Sequence, residues 1–250
     1  NQVIHLAAVL EDSGDRARDY DIDVNGTRNV LDACAATGVQ QLIVTSSGAA
    51  YGYHQDNPAW IDEQAPLRGN PEFPYSDHKR LVEEMLADYR QRYPQLKQLI
   101  FRPGTVLGAG TRNQITALFE RPRLLAIAGA PSPFVFIWDQ DVVGAIVQGV
   151  EREAAGIYNL AGDGALTLRQ LANILNKPRL VVPAALLHAA LWLGRRTGLS
   201  RYAPEQINFL RYRPVLSNRR LKEEFGFMPA KTSEQAFRFY LNGASQREAS

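Results

Sequence analysis

Cysteine is nearly absent: the 250 residues contain one, Cys34. A single thiol excludes an intrachain disulfide and fits a reducing compartment, so a cytoplasmic location is expected. Cys34 falls among small apolar residues and reads as a buried structural thiol rather than a nucleophile. Histidine is also scarce; the four are scattered without metal-ligand spacing, and no metal site is expected. Neither sign of charge dominates, with 28 basic against 26 acidic residues. Without a long basic stripe, no nucleic-acid partner is expected. Long hydrophobic runs are missing as well. The longest apolar stretch, Ala184 to Gly194, is too short to span a bilayer and contains His188; it predicts a packed helix and no membrane partner. What is present, 45% hydrophobic residues, suffices for one substantial core with a smaller lobe attached.

The apolar residues are arranged as short strands alternating with helices. Val3-Ile4-His5-Leu6-Ala7-Ala8 and Leu42-Ile43-Val44 are short runs followed by small residues, the pattern of buried parallel strands ending in loops. Between them, Ile22 to Gly38 carries Ile22, Val30, Leu31, Cys34 and Ala35, with Gly38 as C-cap. Strand, helix and strand make a βαβ unit with a right-handed crossover. A second helix runs from Tyr75 through Leu81, Val82, Met85, Leu86 and Tyr89 and stops before Pro94; Leu99-Ile100-Phe101 is the next strand. Beyond it the pattern predicts a helix from Ile115 to about Phe119, then loop to Pro133. A strand at 134–137, a helix at 142–150, a strand at 157–160 and a helix at 168–175 follow. Residues 183–242 read as largely helical, with breaks at Gly194, Gly198, Pro214 and Pro229.

Tyr75 and Lys79 are four apart and share one helix face, so an ammonium can lie beside a phenol. A phenol with a pKa near ~10 is a poor base at neutral pH, and a neighbouring cation favours its ionised form. Such a pair can shuttle protons, although Tyr-x-x-x-Lys alone occurs on many helices. Ser46 and Ser47 emerge from the carboxyl end of the 42–44 strand, where open α/β sheets place their ligands.

Several segments in order resemble the extended short-chain dehydrogenase/reductase family, of the NAD-dependent epimerase/dehydratase type. They are His5-Leu6-Ala7-Ala8, Asn25-Gly26-Thr27-Arg28-Asn29-Val30-Leu31, Ser46-Ser47-x-x-x-Tyr51-Gly52, Asp62-Glu63 with Pro66, Tyr75-x-x-x-Lys79, and Arg102-Pro103-Gly104-Thr105-Val106-Leu107-Gly108. The resemblance implies an α/β fold: a Rossmann-like, doubly wound parallel sheet with a smaller, mostly helical C-terminal lobe. Residues 1–112, joined by 134–160, would form part of an NAD(P)-binding domain, and 113–133 with 161–250 the substrate lobe. The glycine-rich turn that seats a pyrophosphate on a helix N-terminus is not found near the start. The first strand looks like the family's fourth, so the chain is expected to be a fragment without the family's N-terminal strands.

The resemblance also implies roles. Tyr75 would be the general acid/base, Lys79 would lower its pKa and hold the ribose of NAD or NADP, and Ser47 would bond the reacting oxygen. Asn25 would order water or backbone near the lysine. Leu6, Ala7 and Ala8 would pass under the cofactor, Thr45 and Ser46 would line its side or satisfy the strand end, and Pro103, Gly104 and Thr105 would touch its nicotinamide end. Tyr51 would line the substrate pocket or be core; Asp139 and Asp141 would serve a helix N-terminus. Gly48 and Ala49 stand where sugar-nucleotide 4,6-dehydratases carry an acidic pair, which argues against that reaction. Thr105 replaces an asparagine of many nucleotide-sugar epimerases. The implied activity is an NAD(P)-dependent epimerase or reductase acting on a secondary alcohol or ketone, with a small-molecule substrate. The alternative is a catalytically silent cofactor-binding regulator or scaffold. A homodimer through helices 22–37 and 75–92 is implied as well.

Overall fold

The computed structural model describes residues 1–10, 13–198 and 207–248, the last five of these by backbone alone. The chain runs β1 (Gln2–His5), α1 (Arg16–Tyr20), a π-helical turn (Asp21–Asn25), α2 (Gly26–Thr37), β2 (Gln41–Thr45), a 3₁₀ turn (Gly48–Tyr51) and α3 (Pro74–Arg92). Then come β3 (Lys97–Pro103), β4 (Thr105–Leu107), α4 (Gln114–Glu120), β5 (Leu124–Ile127), β6 (Phe136–Trp138), α5 (Asp139–Glu151) and β7 (Gly156–Leu160). It closes with α6 (Leu168–Ile174), β8 (Arg179–Val182), α7 (Ala184–Arg196), α8 (Ile207–Arg211), α9 (Arg219–Glu223) and α10 (Ser233–Glu248).

The main sheet is parallel, in the order β1-β2-β3-β7, with Val3 beside Leu42, Leu42 beside Gln98 and Ile100 beside Ile157. Successive side chains leave a strand on opposite faces. On β2, Leu42 and Val44 therefore enter a cluster with Leu31 and Cys34 of α2 and Val82 and Leu86 of α3. Ile43 points the other way, into Leu99, Phe101, Ala145 of α5, Leu221 and Phe225. Layers on both faces explain why β2 and β3 are uninterrupted apolar runs. β1 lies at the sheet's edge with its residues half-buried or exposed, and ends at His5, short of the expected Ala8.

Both main helices have legible ends. Gly38 adopts φ 70°, the left-handed turn for which glycine carries no Cβ penalty, and its N–H returns to the Cys34 carbonyl. α3 begins with Pro74, and its basic Arg90 and Arg92 lie in the last turn, where they favour the helix dipole. Cys34 is buried, and burial raises its thiol pKa.

The C-terminal lobe packs around Phe119, Phe134, Phe136 and Phe237, joined by Leu107 of β4 and Leu171 of α6. It contains two strands that the sequence pattern does not announce: β5, within the stretch expected as loop, and β8, between the expected helices, which pair parallel with Leu125 beside Leu180. Each is four residues long, too short for a periodicity to register. α7 also differs from expectation. It continues through Gly194 without a break, and none of its residues is buried, so it is not the packed helix that its apolar sequence predicts. Asp141 at the start of α5 is buried and accepts from the backbone N–H groups of Ala230 and Lys231, as a structural carboxylate would. Among the described residues no helix is long and apolar enough to cross a membrane.

Candidate active site

The carboxyl end of β2 meets the N-terminus of α3. Ser47 leaves β2 extended (φ −162°, ψ 150°) and caps the 3₁₀ turn, its hydroxyl accepting from Ala49 N–H at 3.1 Å. Ser76 Oγ donates to the Ala49 carbonyl at 2.7 Å, pinning the first turn of α3 to that loop. The two anchors bring Tyr75 next to Ser47. One turn along α3, Lys79 Nζ stands 5.7 Å from the Tyr75 ring centroid and donates to the Thr45 carbonyl at 3.1 Å.

These residues open into a cleft of about 490 Å³, within the ordinary range of small-molecule sites. Leu6 and Ala8 lie on one side, Thr45, Ser46, Ser47, Tyr75 and Lys79 on another, and Pro103, Gly104 and Thr105 at the end of β3. The remaining wall is largely apolar, with Phe73, Phe134, Val135, Phe209 and Leu216. Ala7 instead lines a cavity of about 10 Å³ behind Lys79, together with His5, Asp23, Thr27 and His78. Asn25 reaches neither; its amide donates to Asp21 Oδ1 at 2.9 Å. The π-helical turn is the reason, because it presents Asp23 to the cleft in place of Asn25.

The electrostatics also differ from the expectation for Tyr75. Burial raises the pKa of its phenol above the usual value; hydrogen bonding with Ser47 acts against that, and the Asp23 charge adds to it. Burial lowers the Lys79 pKa, opposed by Asp23 and Glu83. Desolvation disfavours the charged form of both groups and is the largest cause of each shift. Burial thus favours the neutral phenol of Tyr75 and the neutral amine of Lys79.

Beneath the cleft lies a buried polar frame. Arg102 grips Glu83 with Nε at 2.8 Å and Nη2 at 2.5 Å and donates from Nη1 to Tyr51 Oη at 2.8 Å. Tyr51 passes the chain to Asn159 Oδ1 at 2.9 Å, so it is core rather than pocket wall. Ser46 Oγ donates to Glu83 Oε1 at 2.5 Å, which ties the strand end to this frame. Glu63 Oε1 accepts from Asn159 N–H at 2.7 Å, while Oε2 is buried with no hydrogen-bond partner among the described residues. Burial raises the Glu63 pKa. Beside Lys79, His78 Nδ1 and Asp23 Oδ2 pair at 2.9 Å, and Asp23 Oδ1 accepts from Val9 N–H. In the cleft wall, the Arg213 guanidinium sits 4.1 Å from the Phe134 ring centroid and 4.0 Å from that of Phe209. Its Nε and Nη2 have no hydrogen-bond partner among the described residues, and burial lowers its pKa to about 10.

The sequence reading missed Glu83, His78, Asp23, Phe209 and Arg213. Helical spacing carried part of the signal: His78 is i+3 from Tyr75 and Glu83 is i+4 from Lys79 on α3, whereas Arg213 lies beyond the end of α8.

A match to the NAD dependent epimerase/dehydratase family covers residues 1–161. The chain belongs to that family. An uncharacterized protein of Mycobacterium tuberculosis is 24% identical over 244 residues, 96% of this chain and 65% of that protein. The N-acetyl-alpha-D-glucosaminyl-diphospho-ditrans,octacis-undecaprenol 4-epimerase of Escherichia coli O157:H7 is 30% identical over 158 residues, 61% of this chain and 46% of the enzyme. The chain thus spans about two thirds or less of the length of these relatives. Among solved structures, a short-chain dehydrogenase/reductase superfamily protein from Agrobacterium tumefaciens with bound NAD superimposes with a TM-score of 0.72 at 22% identity. That match covers 99% of this chain and 80% of that one and supports the Rossmann-like fold.

Proposed function

We propose that the protein is an NAD(P)-dependent oxidoreductase or epimerase acting on a secondary alcohol or ketone, with Tyr75, Lys79 and Ser47 as its working groups. The observation that carries this reading is that all three open into one cleft with a largely apolar wall. The residues present fit the nicotinamide and ribose end of NAD or NADP. Ala8 leaves room beside the cleft, and Lys79 has three donor hydrogens of which the Thr45 carbonyl takes one. When bound, the cofactor would supply or accept hydride.

The protein's own groups handle the proton and the orientation. Tyr75, kept protonated by burial, donates to a carbonyl oxygen as it gains negative charge, and in the reverse direction takes the hydroxyl proton. Ser47 stands beside Tyr75 to bond the same oxygen and fix the reacting carbon. Lys79 holds ribose hydroxyls and adds positive charge behind the phenol once a phenolate forms. Phe73, Phe209 and Leu216 keep water from the reacting face. The Escherichia coli relative acts on a lipid-linked sugar diphosphate, and the apolar wall is also compatible with a smaller carbonyl compound.

The test is the protein with NAD(P)H against a panel of ketones and nucleotide sugars. Tyr75→Phe is expected to lower turnover by about 10²-fold or more while leaving cofactor affinity nearly unchanged. Activity within a few-fold of the parent would remove Tyr75 from its role. Lys79→Ala should weaken both catalysis and cofactor binding. An epimerase recycles its cofactor and a reductase consumes it stoichiometrically, so the cofactor balance separates the two.

A further inference from the structure

α7 presents a contradiction between its sequence and its setting. From Ala184 to Leu193 every residue but His188 is apolar, a composition that belongs in a core or a lipid phase. Yet no residue of α7 is buried; Leu186 is 62% exposed, Leu193 56% and Trp192 51%. The neighbouring strand β8 adds Leu180 and Val181, 48% and 53% exposed. Two consecutive elements thus display large apolar side chains on the outside of the lobe, where isolated exposed leucines would need no explanation but a group does.

Charge says what covers them. Residues 164–204 hold six of the chain's 28 basic residues, Arg169, Lys177, Arg179, Arg195, Arg196 and Arg201, and none of its 26 acidic ones. The rest of the chain is net negative. Lys177 turns inward to the Phe119 carbonyl, but Arg179, Arg195 and Arg196 are exposed at the ends of β8 and α7. Arg196 lies over the Trp192 ring at 5.3 Å, an aromatic body with a cationic neighbour at one helix end.

We propose that α7 and β8 form a docking surface for an anionic lipid bilayer. A helix of 13 residues is about 20 Å long, against a hydrocarbon core of about 30 Å. It lies in the headgroup region, leucines and tryptophan inward, arginines at the phosphates. A second copy of this chain is a poorer occupant, because the two facing surfaces would carry the same excess of positive charge. α7 touches α8, whose Phe209 lines the candidate cleft, so docking brings that wall of the cleft close to the lipid surface.

Flotation of the whole 250-residue chain with vesicles of phosphatidylcholine alone, or of phosphatidylcholine with phosphatidylglycerol, tests this. Binding is expected to the anionic vesicles only and to be released by salt. In a Trp60→Phe, Trp138→Phe background the emission of Trp192 should shift to the blue on binding. Leu186→Ser and Leu193→Ser should each weaken partition about tenfold, and Arg195→Gln and Arg196→Gln roughly fivefold apiece. All four side chains are exposed, so circular dichroism and melting should be unchanged. No partition to anionic vesicles, or partition indifferent to the leucine substitutions, would overturn the proposal. So would concentration-dependent self-association abolished by the same leucine changes, which would assign the face to a second copy.

Discussion

Arg102 and Glu83 are an ion pair whose side chains are 4% and 2% exposed, and Arg102 also anchors Tyr51. Removing one member leaves the other charge buried without compensation. Arg102→Met is therefore expected to destabilise the protein by about 3–5 kcal/mol in urea unfolding. Arg102→Met with Glu83→Leu should recover a large part of that loss, which a purely steric defect would not. Glu63 makes a prediction in pH. Burial raises its folded pKa above the unfolded value, so its contribution to stability is fully present below the ordinary carboxyl pKa. As pH rises through the raised value, that contribution is lost. Glu63→Gln should therefore gain stability relative to the parent at pH 8 compared with pH 5, read by thermal melts at both. Tyr75, Lys79 and Ser47 were legible because helix spacing and strand ends dictate where such side chains emerge. Asn25 was not: one extra residue in the helix turned its amide towards Asp21, and nothing in the composition of 21–25 announces a π turn.

The start of α10 is seated by close approach. A Cβ on Gly162 would come within 2.5 Å of the Lys231 carbonyl oxygen and 2.9 Å of Ser233 N, both backbone atoms that cannot swing aside. Ser233 Oγ donates to the Gly164 carbonyl at 2.7 Å at the same junction. Gly162→Ala should cost about 1–3 kcal/mol, detected as a lower melting temperature with the sheet core intact. The helices α2, α3, α5 and α6 could be anticipated because each buries one stripe, and β2 and β3 because both faces are covered. β5 and β8 could not, since their pairing joins residues 55 positions apart, as Leu124 and Arg179. α7 was misjudged for another reason. An apolar sequence says that a surface avoids water, but not whether protein or lipid will shield it.

Taken together, the layers around β1-β2-β3-β7 agree with the α/β pattern of the sequence, whereas the bridging aromatic cluster of the lobe was not anticipated. β6 sends Phe136 into that cluster and Ile137 into the one around Ile43 and Leu99, so the main sheet and the lobe should melt in one transition. α2 leaves Arg28, Asn29, Ala33 and Ala36 exposed and α3 leaves Glu84 and Asp88 exposed, and we propose the two helices as the homodimer face. Light scattering should then give about twice the 27.8 kDa of one chain; a mass near 27.8 kDa would remove the pairing. The helical stretch that includes α2 runs from Arg16 to Thr37 with its single wide turn at Asp21–Asn25. Each helical residue advances the chain by about 100°. Deleting any one residue of that turn would re-clock everything before it against everything after it, and swing Asp23 off His78. That turn therefore constrains the number of its residues more than the kind of side chain at its outward positions.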